Sequence, residues 1–204
     1  ASRQEIIRRS FITECDFKKG LIEEDILNRM KLIMEELALK KEDRVPVKPA
    51  REYADGLKKS LGQNEVPAVM AFELPDGKVI TGRSSNLMDS CSAAILNAIK
   101  YLANIGDEIF LLSPVIIETM RSLKKDKLHS RITTLNANEV LIALTIGAVT
   151  NPTAQLAVEN LAALEGIQAH STVMLNKDDE QILKKLGMDV TCDPVYPSEN
   201  LYYV

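Results

Sequence analysis

Val66-Pro67-Ala68-Val69-Met70-Ala71-Phe72-Glu73-Leu74-Pro75-Asp76-Gly77-Lys78-Val79-Ile80-Thr81-Gly82 decides the fold class. Two apolar, partly β-branched runs flank Pro75-Asp76-Gly77. In that cluster proline fixes one backbone angle and glycine frees another, so the chain reverses tightly. The segment predicts a β-hairpin over 66–73 and 78–82. Downstream, Asn86 and Asp89 supply a helix start, and Ala93, Ala94, Ile95, Leu96, Ala98, Ile99 and Leu102 carry a long helix towards Gly106. Glu108-Ile109-Phe110-Leu111-Leu112 then reads as a buried strand, and Ser113-Pro114 opens a further helix with serine as cap and proline in its first turn.

The spacing of Asn136-Ala137-Asn138-Glu139 is that of a capping box, and Asn151-Pro152 caps and opens a second helix that stops near Gly166. Together they predict a helical hairpin whose first arm, apolar all round, is expected to be buried. A strand over 167–175, a helix over 178–186 closed by Gly187, and a last strand through Val190-Thr191-Cys192 complete the chain.

Upstream of the hairpin the pattern changes period. Ile6, Ile7, Phe11 and Ile12, then Ile26, Leu27, Met30, Ile33, Met34 and Leu37, recur at three- and four-residue spacing and predict helices over 4–17 and 23–39. After a break at Val45-Pro46-Val47-Lys48-Pro49, a third helix is expected from Ala50 to Leu61, with Gly62 as its stop. The expectation is thus an α/β protein with a mixed sheet: a small all-helical domain over 1–63, then an α/β domain over 64–204 with the helical hairpin inserted at about 136–165.

The 204 residues carry a net charge of −4 with acids and bases interspersed, so nothing resembles the basic stripe that neutralises phosphates along a nucleic acid. The most apolar run, Val140 to Val149, is far shorter than the roughly 20 residues of a membrane span. Three scattered cysteines, Cys15, Cys91 and Cys192, fit reduced thiols better than a disulfide framework. A cytoplasmic protein is expected, with neither nucleic acid nor membrane as partner. The chain enters an amphipathic helix directly from Ser2-Arg3-Gln4-Glu5, without an initiator methionine, which suggests a fragment of a longer protein.

From Val66 onward the expected order is hairpin, helix, strand, helix, then strand, helix, strand. This resembles the cytidine deaminase core, and with it a three-layer sandwich of cytidine-deaminase-like topology is implied. Asp76-Gly77-Lys78-Val79-Ile80-Thr81-Gly82 is similar to that family's hairpin, and Cys91-Ser92-Ala93 falls where its first metal motif would lie. The chemistry does not follow. The zinc mechanism needs three soft or imidazole ligands and a proton-shuttling glutamate, but Ala93 replaces the glutamate, and Val115 and Glu118 stand where two thiolates belong. No metal and no cofactor are expected.

Over its whole length the chain also resembles the C-terminal portion of a bacterial family known as domain of unknown function 1846. Gln4-Glu5-Ile6-Ile7-Arg8-Arg9, Glu73-Leu74-Pro75-Asp76-Gly77, Glu139-Val140-Leu141-Ile142-Ala143-Leu144, Asn151-Pro152-Thr153-Ala154 and Glu165-Gly166-Ile167-Gln168-Ala169-His170-Ser171-Thr172-Val173 carry the resemblance. It implies a missing N-terminal region with a phosphate-loop-like stretch, and no established activity. A label of zinc protease, given to some members, gains nothing from this chain, whose two histidines, His129 and His170, lack the His-Glu-x-x-His spacing.

Thr81-Gly82-Arg83-Ser84-Ser85-Asn86 is the most functional-looking stretch. A guanidinium and hydroxyls before a helix could hold a phosphate-containing small molecule, whereas the plainer reading is ordinary capping by Ser85 or Asn86. Ser113, His129 and His170 complete the candidate ligand-binding set with Arg83, Ser84, Ser85 and Asn86. His129 reads otherwise as a solvated residue and His170 as a structural one, both being able to titrate near neutrality. Cys91 reads first as a packed core residue. Two functional classes are expected: a metal-free small-molecule or nucleotide-binding domain completed by the missing region, or a noncatalytic assembly domain forming homo-oligomers. A closed pocket containing Arg83 and Ser85 would favour the first, and an apolar face the second.

Overall fold

The β-hairpin forms where the sequence places it. In the computed structural model, which describes residues 2–59 and 66–197, β1 (Val69–Glu73) pairs antiparallel with β2 (Val79–Arg83), and Gly77 turns between them at φ +81°. β3 (Gln168–Ser171) adds antiparallel to the other side of β1, and β4 (Asp189–Cys192) adds parallel to β3. The mixed sheet has the order β2-β1-β3-β4.

Alternation along the strands separates two faces. Met70, Phe72 and Ala169 join the main core with α4 (Ser90–Leu102), α6 (Ala137–Ala148), α7 (Pro152–Glu159) and α8 (Lys177–Lys185), around Ile95, Ile99, Leu144, Leu164 and Leu183. α4 lies so close to β2 that a Cβ on Gly82 would stand 2.2 Å from the Ala94 nitrogen, so only glycine fits. On the opposite face Val69 and Ala71 meet Ala50 and Ala54 of α3 (Val47–Lys58), and α1 (Ser2–Lys18) lies along β4. α2 (Glu24–Glu36) folds back on α1 around Ile7, Phe11, Met34 and Leu39. With helices over both faces, the chain is a mixed α/β protein of three layers. Among the described residues no helix is long and apolar enough to cross a membrane.

Local helix signals translate directly. Ser113 caps α5 (Pro114–Ser122) by accepting from the Val115 amide, Asn151 accepts from the amides of Thr153 and Ala154, and Asn136 and Glu139 form the reciprocal box that opens α6. Asn136→Ala should therefore destabilise the fold by about 1 kcal/mol, read as a lower urea midpoint. An unchanged midpoint would mean that Asp179, which also accepts from the first α6 amide, caps that helix unaided.

Three expectations change. Residues 108–112 form no strand; they run as an irregular segment with Leu111 and Leu112 buried, and β1 pairs directly with β3. The apolar run needed cover, and helices α4 and α5 give it as well as a sheet would. The deaminase-like arrangement thereby loses its middle strand. Second, α3 begins at Val47 within the expected break, because Pro49 in the first turn lacks only an amide that would be unpaired there anyway. Third, α6 is covered on one side only: Val140 and Leu144 are buried, while Val149 is 83% exposed and Ile146 67%. The expected strand over 167–175 is regular only over Gln168–Ser171, although the Thr172 amide still donates to the Val69 carbonyl and the Met174 amide to the Val195 carbonyl. The Gly62 helix stop and the boundary near residue 63 lie outside the described residues.

Candidate functional site

Because β1 runs opposite to both β2 and β3, and β3 runs parallel to β4, the strands β2, β3 and β4 all point the same way. Their C-terminal ends, Arg83, Ser171 and Cys192, share one end of the sheet, the end where open α/β sheets gather ligands. Three helices also begin there. The Asp89 amide donates to the Leu135 carbonyl at 3.0 Å, which ties the start of α4 to that of α6. The Ala137 amide donates to Asp179 Oδ1 at 3.0 Å, which ties the start of α6 to that of α8.

The positive ends of these helices are already answered from within the chain. Asp89 Oδ1 accepts from the Ser92 amide at 2.8 Å and Asn176 Oδ1 from the Asp179 amide at 2.8 Å. Asp89 and Asp179 are near enough for one carboxyl to hydrogen-bond the other, and Asp179 is 2% exposed. Burial first, then the negative charge of Asp179, push Asp89 up to about 7, so it keeps its proton until close to neutrality. Two carboxylates thus occupy the place where a ligand anion would meet the helix dipoles.

The expected phosphate turn stands apart from this arrangement. Arg83, Ser84, Ser85 and Asn86 are exposed, α4 starts only at Ser90, and Asp89 holds its cap. The Ser84 amide donates to the Ala68 carbonyl, the Ser85 amide to the Met88 carbonyl, and Ser85 Oγ accepts from the amides of Leu87 and Met88. The backbone amides of Ser84 and Ser85 are thus already used within the chain. Among the described residues Arg83 makes no side-chain bond; it lines a shallow hollow of about 200 Å³ with Ser84, Pro67 and Leu57.

The remaining candidates are scattered. Ser113 is the α5 cap, and His129 is an exposed residue in the left-handed region at φ +50°. His170 is fully buried on the opposite face, its ring 4.9 Å from that of Phe11. Its Nδ1 lies 2.9 Å from Thr191 Oγ1 and its Nε2 3.5 Å from Asp193 Oδ2. Burial pulls His170 below its usual value, against the opposing pull of Asp193. Burial pushes Asp193 up, but the His170 ring beside it and two hydrogen bonds from Arg51, at 3.0 and 2.6 Å, outweigh it and hold the carboxyl at about 2. This network fastens α1 and α3 to the sheet.

Sequence reasoning also missed Arg44. Fully buried, it donates to Asp189 Oδ2 at 3.0 Å and to the Asp189 carbonyl. Burial favours the thiol form of the cysteines, raising Cys15 to about 11, Cys192 to about 12, and Cys91, 1% exposed, well above its usual value. Among the described residues no group of three or more His, Cys, Asp or Glu side chains is placed to hold a metal ion.

Fold and site together define a mixed-sheet α/β domain whose ligand-side end is closed by its own carboxylates. The chain belongs to the family described as "Domain of unknown function DUF1846, C-terminal", whose model matches residues 42–202. It is 59% identical to a UPF0371 protein of Clostridium tetani (strain Massachusetts / E88) and 57% identical to one of Clostridioides difficile (strain 630), in each case over 203 residues. A third relative, from Clostridium botulinum (strain Eklund 17B / Type B), is 56% identical. Each match covers 100% of this chain but 40% of the relative, so the chain spans well under half the length of these proteins.

Proposed function

We propose that the chain is the carboxy-terminal assembly domain of a longer cytoplasmic protein, a noncatalytic part that buries apolar surface against the remainder of that protein and, through it, against further copies. The exposed apolar surface carries this reading. Phe110 is 72% exposed and Val115 73%, with Ile109 and Ile116 beside them, on a chain that spans 40% of its relatives' length. Side chains of this size lose burial worth roughly 1.5–3 kcal/mol each if water covers them, which a partner face would restore. Expressed as two separate polypeptides, this chain and the remainder of the full-length protein should co-purify as a stoichiometric complex. Two parts that sediment independently at micromolar concentration would overturn the reading.

The second reading, a phosphate-binding half-site at Arg83–Asn86 completed by the rest of the protein, has in its favour an Arg83 side chain without a partner among the described residues and the hollow beside it. If it holds, inorganic phosphate raises the melting temperature of the full-length protein, and Arg83→Ala abolishes the rise. If assembly is the role, phosphate leaves both proteins unchanged.

A further inference from the structure

Residues 108–112 have the composition of a buried strand and are not in the sheet. The Ile109 amide donates to the Gly106 carbonyl; beyond that, among the described residues, the amides of Phe110, Leu111 and Leu112 donate no hydrogen bond and the carbonyls of 108–112 accept none. Leu111 and Leu112 are 6% and 4% exposed, so the segment is anchored by its own side chains while part of its backbone stays unanswered. Backbone groups in such surroundings find partners in nearly every folded protein.

Beside the segment runs an apolar groove of about 500 Å³ between α4 and α5, lined by Leu87, Met88, Leu96, Phe110, Leu112 and Ile117. Its rim carries Lys100, Asp107 and Glu118. The Lys100 ammonium donates to the Asp107 carbonyl at 2.8 Å, and Glu118 accepts from Arg121 at 2.9 Å. The groove calls for apolar side chains carried on a backbone with free donors and acceptors.

We propose that residues 109–112 and this groove are the docking surface for the remainder of the longer protein, which lays an extended apolar segment along them and completes their backbone hydrogen bonds. The inference rests on the assembly reading and names its surface. The occupant follows from the length of chain outside the structure: relatives matched over the whole of this chain are covered only to 40%, and a segment joined to the same polypeptide meets the groove at a high effective concentration that a separate partner lacks. Main-chain pairing supplies the affinity in such modes, and side chains in the groove supply the selectivity.

Amide hydrogen exchange on the full-length protein tests this. The amides of Phe110, Leu111 and Leu112 should exchange about a hundredfold or more slowly than in an unstructured peptide, by the same factor at low and high protein concentration. Phe110→Asp in the full-length protein should restore fast exchange at those amides while leaving the β1 amides of Val69–Glu73 protected, because Phe110 is exposed and its loss leaves this chain's own core intact. Free exchange at 110–112 in the unaltered full-length protein would overturn the proposal, and so would protection that grows with concentration, which would assign the groove to a second copy. If the two separately expressed parts form a complex and these amides nevertheless exchange freely, the groove proposal falls and the assembly reading stands.

Discussion

Arg44→Ala is expected to destabilise the protein by about 2–4 kcal/mol, from the cavity that it opens and the backbone carbonyls that it leaves without a donor. Arg44 has no exposed surface, and its guanidinium gathers Asp189 Oδ2 at 3.0 Å, the Asp189 carbonyl, and the Ala169 carbonyl at 3.4 Å. Alanine would leave the Asp189 carbonyl without that donor and open a cavity between α1, α3 and the sheet. The side chain of Asp189 is 40% exposed and lies 3.7 Å from Arg8, so water and a second cation can serve it after the change. Most of the loss therefore comes from the backbone carbonyl and the cavity rather than from the carboxylate. Arg44→Met, which refills most of the volume, should recover roughly half of the stability. Urea titrations of the three proteins decide it. A difference under about 1 kcal/mol between Arg44→Ala and the parent would show that the helical section is held to the sheet by packing around Phe11 and Val47 alone.

What the sequence disclosed follows from how local each signal is. Caps at Ser113, Asn136 and Asn151, the turn at Gly77 and the stop at Gly187 are decided by neighbours a few residues away, and each appears where expected. Glu108–Leu112 misled because an apolar run reports only that a segment is covered, not that a ladder covers it. At the candidate site the limit was different. Asn176 caps α8 through the Asp179 amide, a contact three residues long, but nothing in the sequence says that Asp179 also serves the first amide of α6 or faces Asp89. Arg44 and Asp189 stand 145 positions apart. Arg83–Asn86 drew attention as a polar stretch before a helix, and the chain answers the amides of Ser84 and Ser85 with carbonyls just before the neighbouring strand and three residues away.

Asp89→Asn is expected to stabilise the protein by about 1–3 kcal/mol at about pH 8 and to change little at about pH 4. An unfolded aspartate releases its proton near 3.8, whereas Asp89 in the folded chain releases it at about 7. Between these values the native state binds more protons than the unfolded one, so this group's contribution falls as pH rises through the window and stays unfavourable above it. Asparagine removes the charge and keeps the function of the carboxylate at the helix start, since its oxygen can still accept from the Ser92 amide and its amide can donate to Asp179. His170, pulled down by burial, and Asp193, held at about 2, act in the opposite sense, their stabilisation being lost as pH falls. Both are present in the two proteins, so the difference between the stability curves isolates Asp89. Parallel curves across the whole range, or a variant less stable than the parent at about pH 8, would show that the two carboxylates do not oppose each other. A gain confined to neutral and alkaline pH would mean that the chain keeps a charged pair where a neutral amide folds better.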